Sequence, residues 1–417
     1  MSTSTEYAFI AKLEARGHWG IKRGLDNIRA LLEALGYPDR SYPVLLIAGT
    51  NGKGSVGAML HAMLSRAGHR VGWTTSPHLI SVTERIRIGE QILTGAQLDS
   101  LLAEVFSAEE SLGIQATYFE LMIAAALLGF RQASVELALV EVGLGGRWDA
   151  TNATEPILTV LTNVAMDHQT HLGNTLEAIA REKLCTARDG RPLVLGPGLD
   201  AEWIHSLLEC RPRLCQALPF KAELISWDHS VVDGHWVNLA GAHQLENLAT
   251  AAEVIRQLRD LYVSISDEAL WQGVAHVSWP GRLWKVPGFS NLWLDGAHNP
   301  DGARVLADHA ITCGLHPHVF FGAMRDKDVS AMALELKRMN PRSITFVQGD
   351  DARYADGEQL RVAWDLDLPV LTLSEGVAQL RESNPDISLV TGSLYLLGDL
   401  LRVLGIRPSY TKLRSIV

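Results

Sequence analysis

Cysteine is scarce and unpatterned. Cys185, Cys210, Cys215 and Cys313 are the only four in 417 residues, and no two stand in a C-x-x-C pair or at a zinc spacing. That speaks against a disulfide framework or a structural zinc site and for reduced thiols, hence for a cytoplasmic location. Long apolar runs are missing as well. No stretch reaches the roughly 18 residues of a membrane span, and Met1 to Arg16 lacks the apolar core of a signal peptide, so no membrane partner is expected. There is no basic surplus either: 37 Lys+Arg against 47 Asp+Glu leave a net charge of −10, which argues against nucleic acid as the main partner. Internal repeats and low-complexity tracts are absent. What remains, 47% hydrophobic and 20% charged residues, describes an ordinary globular chain whose length favours two domains over one core.

The most informative stretch is Val44 to Ser55. An apolar run of strand length ends in Gly49-Thr50-Asn51-Gly52-Lys53-Gly54-Ser55, and Val56, Met59, Leu60, Met63 and Leu64 then recur at helical spacing. Strand, Gly-rich turn and helix form the layout of a phosphate cradle. Glycines let backbone N–H groups converge on an anion at a helix N-terminus, Lys53 neutralises phosphate charge, and the Ser55 hydroxyl is placed to ligate Mg²⁺. The spacing departs from G-x-x-x-x-G-K-[ST] because Gly54 separates Lys53 from Ser55.

Other stretches carry chemistry in unusual places. Leu137 to Val142 has the composition of a buried strand yet holds Glu141, and a buried carboxylate needs a metal or cation beside it. Thr117-Tyr118-Phe119-Glu120 opens an apolar helix and reads as a capping box. Gly241 to Asn247 starts a long helix to Leu258 in which Asn247 stands one turn inside, where a cap does not explain it. Strands are expected over 222–227 and 235–239. Trp279-Pro280-Gly281-Arg282 and Val286-Pro287-Gly288 punctuate the chain as a linker. Beyond it strands (292–294, 319–321, 343–347, 370–373, 388–390) alternate with helices (301–312, 329–339, 377–381), which predicts a smaller, mostly parallel α/β domain with its functional groups at strand C-termini. The fold expectation is therefore α/β, with a P-loop ATP-binding domain over residues 1–285 followed by a Rossmann-like domain over 286–417.

The G-T-N-G-K-G-S loop resembles the ATP-binding loop of the folylpolyglutamate synthase/dihydrofolate synthase family, relatives of the Mur ligases. Further segments are similar to that family in the same order: Gly24-Leu25; Ser76-Pro77-His78-Leu79 with Glu84-Arg85-Ile86; Thr117 to Glu120 (T-F-F-E in the family); Glu141 to Asn152 (E-V-G-L-G-G-R-L-D-A-T-N); Asp167-His168; Glu182-Lys183; Gly241 to Asn247; Pro280-Gly281-Arg282; Asp295 to Pro300 (D-G-A-H-N-P); Asp326-Lys327-Asp328; and Thr391 to Tyr395 (T-G-S-L-Y). Departures are Val82-Thr83 before Glu84, Tyr118 for Phe, Trp148 for Leu, and Leu184-Cys185-Thr186 after Lys183.

The resemblance implies a monomeric ATP-dependent amide ligase adding L-glutamate to dihydropteroate, to the glutamyl tail of a reduced folate, or to both, through an acyl phosphate. A Mur-type ligase acting on a UDP-sugar peptide is the alternative. Lys53, Lys183 and His298 would be catalytic, with Lys183 carrying a CO₂-derived carbamate. Residues Gly49 to Ser55, Asn247, Arg282 and Asp295 would bind ATP, and Ser55, Ser76, Glu141 and His168 would hold Mg²⁺. Thr117, Tyr118, Phe119, Glu120, Trp148, Asp149 and Ala150 would border the pterin-bearing acceptor, while His298 and Ser393 would place the incoming glutamate.

Overall fold

The computed structural model describes residues 7–17, 23–261, 263–382 and 386–410. Its first sheet has eight strands: Val44–Ala48 (β1), Val71–Thr74 (β2), Ile86–Ile88 (β3), Gln91–Ile92 (β4), Leu137–Glu141 (β5), Leu158–Leu161 (β6), Pro192–Leu195 (β7) and Arg213–Gln216 (β8). They lie in the order β4-β3-β2-β5-β1-β6-β7-β8, parallel from β2 to β8, with β3 and β4 turned antiparallel at one edge. Strand β1 sits between β5 and β6 and is buried along its whole length. Both faces are covered, so it reads as a continuous apolar run.

Alternation sends its side chains to two cores. Val44 and Leu46 join a cluster with the helices Gly95–Leu112 and Tyr118–Gln132. Leu45 and Ile47 join another with the helices Lys53–Arg66, Ala242–Asp260 and Asp267–His276. The C-terminal ends of β1, β5 and β6 therefore meet in a crevice, where ligands bind in open α/β sheets.

The strands expected over 222–227 and 235–239 are present in shortened form as Leu224–Ile225 (β9) and His235–Val237 (β11), and Ser230–Val232 (β10), which was not anticipated, pairs with both in an antiparallel sheet. The turn at Asp233-Gly234, both with positive φ, closes the β10–β11 hairpin. A six-stranded sheet follows: Trp284–Lys285 (β12), Leu292–Asp295 (β13), His318–Phe321 (β14), Ser343–Gln348 (β15), Val370–Thr372 (β16) and Ser388–Thr391 (β17), in the order β12-β13-β17-β14-β15-β16. All its pairings are parallel except β12 with β13. Strand β16 stops one residue before the expected end because Thr372 and Glu375 form a capping box that starts the helix Leu373–Arg381. The helix Gly357–Trp364, capped by Asp356 and Gln359, was not anticipated.

The two sheets are tied together by more than the linker. Leu79, from the turn after β2, lies in the apolar cluster of the second sheet with Leu294, Val390, Leu396 and Leu397. The helix Leu394–Leu404 comes so close that a Cβ on Gly398 would collide with the Leu79 carbonyl oxygen. Arg402 Nη2 donates to Ile80 O at 2.7 Å, and the chain then folds back so that Tyr410 Oη donates to Glu84 Oε2 at 2.7 Å and Ser278 Oγ to Ser409 O at 3.2 Å.

Replacing Gly398 by alanine sets two effects against each other. Helix propensity favours alanine by about 1 kcal/mol, whereas overpacking a close contact costs about 1–3 kcal/mol. The Leu79 carbonyl is backbone and cannot swing away, so Gly398→Ala is expected to lower stability in denaturant unfolding. A rise in stability would show that the helix is free to move off Leu79.

Candidate functional site

The phosphate loop owes its shape to three close approaches. Gly49 (φ +146°) and Gly52 (φ +82°) have left-handed-side backbone angles, and a Cβ would run into Thr162 at the first and the Asn247 amide at the second. Gly54 lies in the first helical turn under the indole of Trp279, which a Cβ would meet at 2.9 Å. The extra glycine between Lys53 and Ser55 thus admits the linker's tryptophan against the loop. Asn163 Oδ1 accepts the N–H groups of Asn51 (2.8 Å) and Thr50 (3.2 Å), which fixes the turn. Lys53 Nζ folds onto its own loop, donating to Gly49 O (3.0 Å) and Thr50 O (2.9 Å).

Glu141, at the end of β5, is buried as its position in an apolar strand requires. Its Oε2 accepts the Thr75 hydroxyl. Burial pushes its pKa up, opposed by Lys53 and that hydrogen bond; burial likewise pulls Lys53 down, opposed by Glu141. Lys183 is only 4% exposed at the end of the helix Leu176–Leu184, and its Nζ donates to the same Gly49 carbonyl at 3.0 Å. Burial, aided by the charge of Lys53, lowers Lys183 to about 7. A substantial share of this amine is therefore neutral near physiological pH.

A second cluster bridges the sheets. Asp167, after β6, accepts Lys327 Nζ on Oδ1 (2.8 Å) and the Asn299 amide on Oδ2 (3.1 Å), and His298 Nε2 stands 3.7 Å from Oδ2. Asn299 and Asn51 exchange side-chain hydrogen bonds of 2.9 and 3.3 Å, so the phosphate loop touches the turn that opens the helix Pro300–Thr312. His298 Nδ1 lies 2.8 Å from the Gly296 carbonyl and must carry the proton there, which leaves Nε2 as the acceptor. His168 has a left-handed backbone (φ +50°), a strained conformation that recurs at functional positions, and its Nε2 lies 3.4 Å from Lys327 Nζ. Burial lowers both imidazoles to about 4. Burial alone would raise Asp167, but its cationic surroundings hold it well below the usual carboxylate range. Since the imidazoles are neutral at pH 7, the Lys327 ammonium is the cation that counts there.

The sequence-derived metal residues fall into two neighbourhoods. Ser76 and Glu141 line one cavity with Gly54, the residue before Ser55. His168 belongs to the Asp167 cluster, although Lys53 acts electrostatically on both His168 and Glu141. Among the described residues no three His, Cys, Asp or Glu side chains gather into a metal cage. Hydroxyls plus one carboxylate fit Mg²⁺, which usually takes one or two carboxylates together with phosphate oxygens.

Among the residues expected to border the acceptor, Thr117 and Glu120 form the expected capping box, Glu120 accepting Thr117 N at 2.7 Å. Tyr118 is buried with the Arg85 guanidinium over its ring, and Phe119 packs so tightly on Gly143 that a Cβ there would meet the ring at 2.6 Å. Asp149 is committed to its own loop, accepting the N–H groups of Gly143, Leu144 and Thr151 at 2.9–3.0 Å, and Ala150 is buried beside it. Trp148 is 47% exposed and so is not core packing. Asn247 lies against Gly52, and Arg282 shares the Glu141 cavity. Asp295 is engaged by backbone, accepting Leu283 N (2.8 Å) and Ala297 N (2.9 Å), so it pins the linker to β13. Ser393 is buried and caps the helix after β17 through Tyr395 N. Sequence reasoning did not single out Asp167, Asn299, Lys327 or Asn163 as site residues. Asp167, Asn299 and Lys327 stand inside motif segments and Asn163 a few residues before one, and only the folded contacts show what they hold.

The arrangement is that of an ATP-dependent ligase with a Mur ligase-like fold: residues 47–185 match the family model described as the Mur ligase middle domain. Over 419 aligned residues the chain is 32% identical to the dihydrofolate synthase/folylpolyglutamate synthase of Bacillus subtilis, covering 93% of this chain and 96% of the relative. It therefore belongs to the dihydrofolate synthase/folylpolyglutamate synthase family. Two solved structures, each 28% identical, superpose closely. Escherichia coli FolC in complex with DHPP and ADP has a TM-score of 0.81 over 97% of this chain and 98% of that one. The Yersinia pestis bifunctional enzyme complexed with AMPPNP and Mn ion has a TM-score of 0.80 over 97% and 100%.

The histidine shifts set a pH dependence. His168 and His298 bind protons more weakly folded, near 4, than unfolded, near 6.5, so their contribution is intact above 6.5 and is lost as pH falls toward 4. The protein should lose stability through that window, and His298→Asn should flatten the slope by up to about 1.4 kcal/mol per pH unit. Denaturant midpoints from pH 7.5 to 4.5 check this; equal slopes would mean that His298 is not held neutral.

Proposed function

We propose that the chain joins L-glutamate to the carboxylate of dihydropteroate, of a folate glutamyl tail, or of both, with ATP as the energy source. The observation that carries this reading is the Asn51–Asn299 exchange, which closes a phosphate loop on one sheet with the His298 turn of another. A two-substrate ligase needs that junction, because an activated acyl group must meet its amine out of water.

The acceptor carboxylate oxygen attacks the γ-phosphorus and ADP leaves, giving an acyl phosphate. The glutamate nitrogen then attacks the acyl carbon, phosphate leaves, and the amine proton is lost. No protein nucleophile is required, so the side chains position substrates and offset charge. Lys53 releases its loop carbonyls to meet phosphate. Arg282, Asn247 and Asp295 shape the nucleotide side, and Thr117 to Glu120 with Trp148, Asp149 and Ala150 border the acceptor. His298 and Ser393 place the glutamate. Ser55, Ser76 and Glu141 in one neighbourhood and His168 in the other would hold Mg²⁺, which when bound neutralises charge on the transferring phosphoryl group. A division of the chain at the linker, near residue 285, lets the two parts close on each other.

Lys183 suits carbamate formation. A neutral amine nitrogen attacks CO₂ and loses a proton, leaving an N-carboxylate where an ammonium would face Lys53. Its depressed proton affinity and its place at Gly49 O support this reading.

Two substitutions test these roles. Lys53→Ala should leave the fold intact but cut amide formation at least about a hundredfold, a loss of about 3 kcal/mol in transition-state stabilisation. Near-normal turnover in a folded variant would remove the phosphate-loop assignment. Lys183→Ala should lose activity that short-chain carboxylates restore, with an added CO₂ seen on the wild-type lysine by high-resolution density. Full activity in the alanine variant would take Lys183 out of the site.

A further inference from the structure

Arg87 lies on β3 directly opposite Trp73 on β2, and its side chain is only 4% exposed. Three rings enclose the guanidinium: its carbon lies 3.9 Å from the Tyr410 centroid, 4.8 Å from Trp73 and 5.0 Å from Trp279. Aromatic faces stabilise a cation but accept no in-plane hydrogen bond from its N–H groups. Nε and Nη2 are both buried and have no hydrogen-bond partner among the described residues. These two atoms form one edge of the guanidinium, the side-on fork that matches a carboxylate.

The nearest carboxylate does not serve them. Glu84 already accepts Leu79 N (2.8 Å) and Tyr410 Oη (2.7 Å) on Oε2, and Ile80 N (3.0 Å) and Ser81 N (2.8 Å) on Oε1. Glu141 is held by Thr75 and faces Lys53. Leaving a buried guanidinium edge unpaired is costly, so an acceptor from outside the described chain is called for. Arg87 lines the cavity that also holds Gly54, Ser76, Glu141 and Arg282. Its volume of about 30 Å³ admits two or three water-sized groups, the size of one carboxylate rather than of a ring or a phosphate chain.

We infer that the Nε/Nη2 edge of Arg87 is a carboxylate subsite inside the active cavity, roofed by Tyr410, which takes one non-reacting carboxylate of a substrate. The inference rests on the ligase reading above. Two sources have this chemistry: the α- or γ-carboxylate of the incoming glutamate, and the free carboxylate of a glutamyl-bearing folate. Dihydropteroate carries only the carboxylate that reacts and cannot fill the subsite.

Steady-state kinetics of the wild type, Arg87→Met and Arg87→Lys test it. In Arg87→Met the KM for the substrate that supplies the carboxylate should rise about tenfold or more, with KM for ATP changed by no more than roughly twofold; Arg87→Lys, a point charge without the fork, should fall between. A rise for L-glutamate assigns the amino acid, and L-glutamine and L-isoglutamine then tell its two carboxylates apart. The amide that weakens binding to the wild type but not to Arg87→Met marks the group held. A rise confined to tetrahydrofolate, sparing dihydropteroate and glutamate, assigns the folate tail. Unchanged KM values in folded variants overturn the subsite, as does the same KM rise in a chain ended at Tyr410, which would make the chain's own last residues the acceptor. If both variants fail to fold, a wild-type crystal with ADP, the folate and L-glutamate decides: a carboxylate within hydrogen-bond distance of Nε and Nη2 supports the subsite, and a water there overturns it. A wild type that forms no amide from any of these substrates would instead refute the ligase reading itself.

Discussion

The contact on which the site depends is the buried ion pair of Asp167 and Lys327. Asp167 leaves the first sheet at the end of β6, Lys327 leaves the second after β14, and they meet at 2.8 Å with both side chains largely out of water. A buried pair gains little over apolar packing, but breaking it costs about 3–5 kcal/mol, because the remaining charge is stranded. That asymmetry makes the closed arrangement specific. His298, Asn299 and His168 gather around the same carboxylate, while the Gly296 carbonyl holds the proton on His298 Nδ1.

Glycine sets the other constraint. Side chains from the residue after β6, from the helix Ala242–Asp260 and from the linker reach the phosphate loop at Gly49, Gly52 and Gly54 respectively, each filling the space a Cβ would take. Three separate parts of the chain thus read the same loop. The loop is preorganised by packing from outside it as well as by its own hydrogen bonds, which is what charge stabilisation without reorganisation requires.

Much of this was legible in the sequence because it is local. The phosphate loop, the buried Glu141, the Thr117–Glu120 box and each single element of the alternation after the linker lie within about a dozen residues, where period and capping chemistry speak directly. The order of the strands was not legible, nor was the pairing of Asp167 with Lys327 across 160 positions. Asp295 illustrates the limit in the other direction. Its motif suggested a ligand contact and gave no sign that the same carboxylate also accepts the N–H of Leu283 in the linker and of Ala297 in its own turn. Arg87 had no signal at all, since an arginine near the edge of a sheet ordinarily faces solvent, and only the fold brings Trp73, Trp279 and the returning chain at Tyr410 around it.

Leu79 shapes how the two sheets are held together. It belongs to the first sheet by sequence and to the second sheet's core by packing, while Leu283, with its left-handed backbone and its bond to Asp295, is the covalent passage between the two. The segment after β2 is therefore shared: Ser76, three residues before Leu79, stands in a stretch whose position is set by both cores, alongside the Asp167–Lys327 and Asn51–Asn299 bonds.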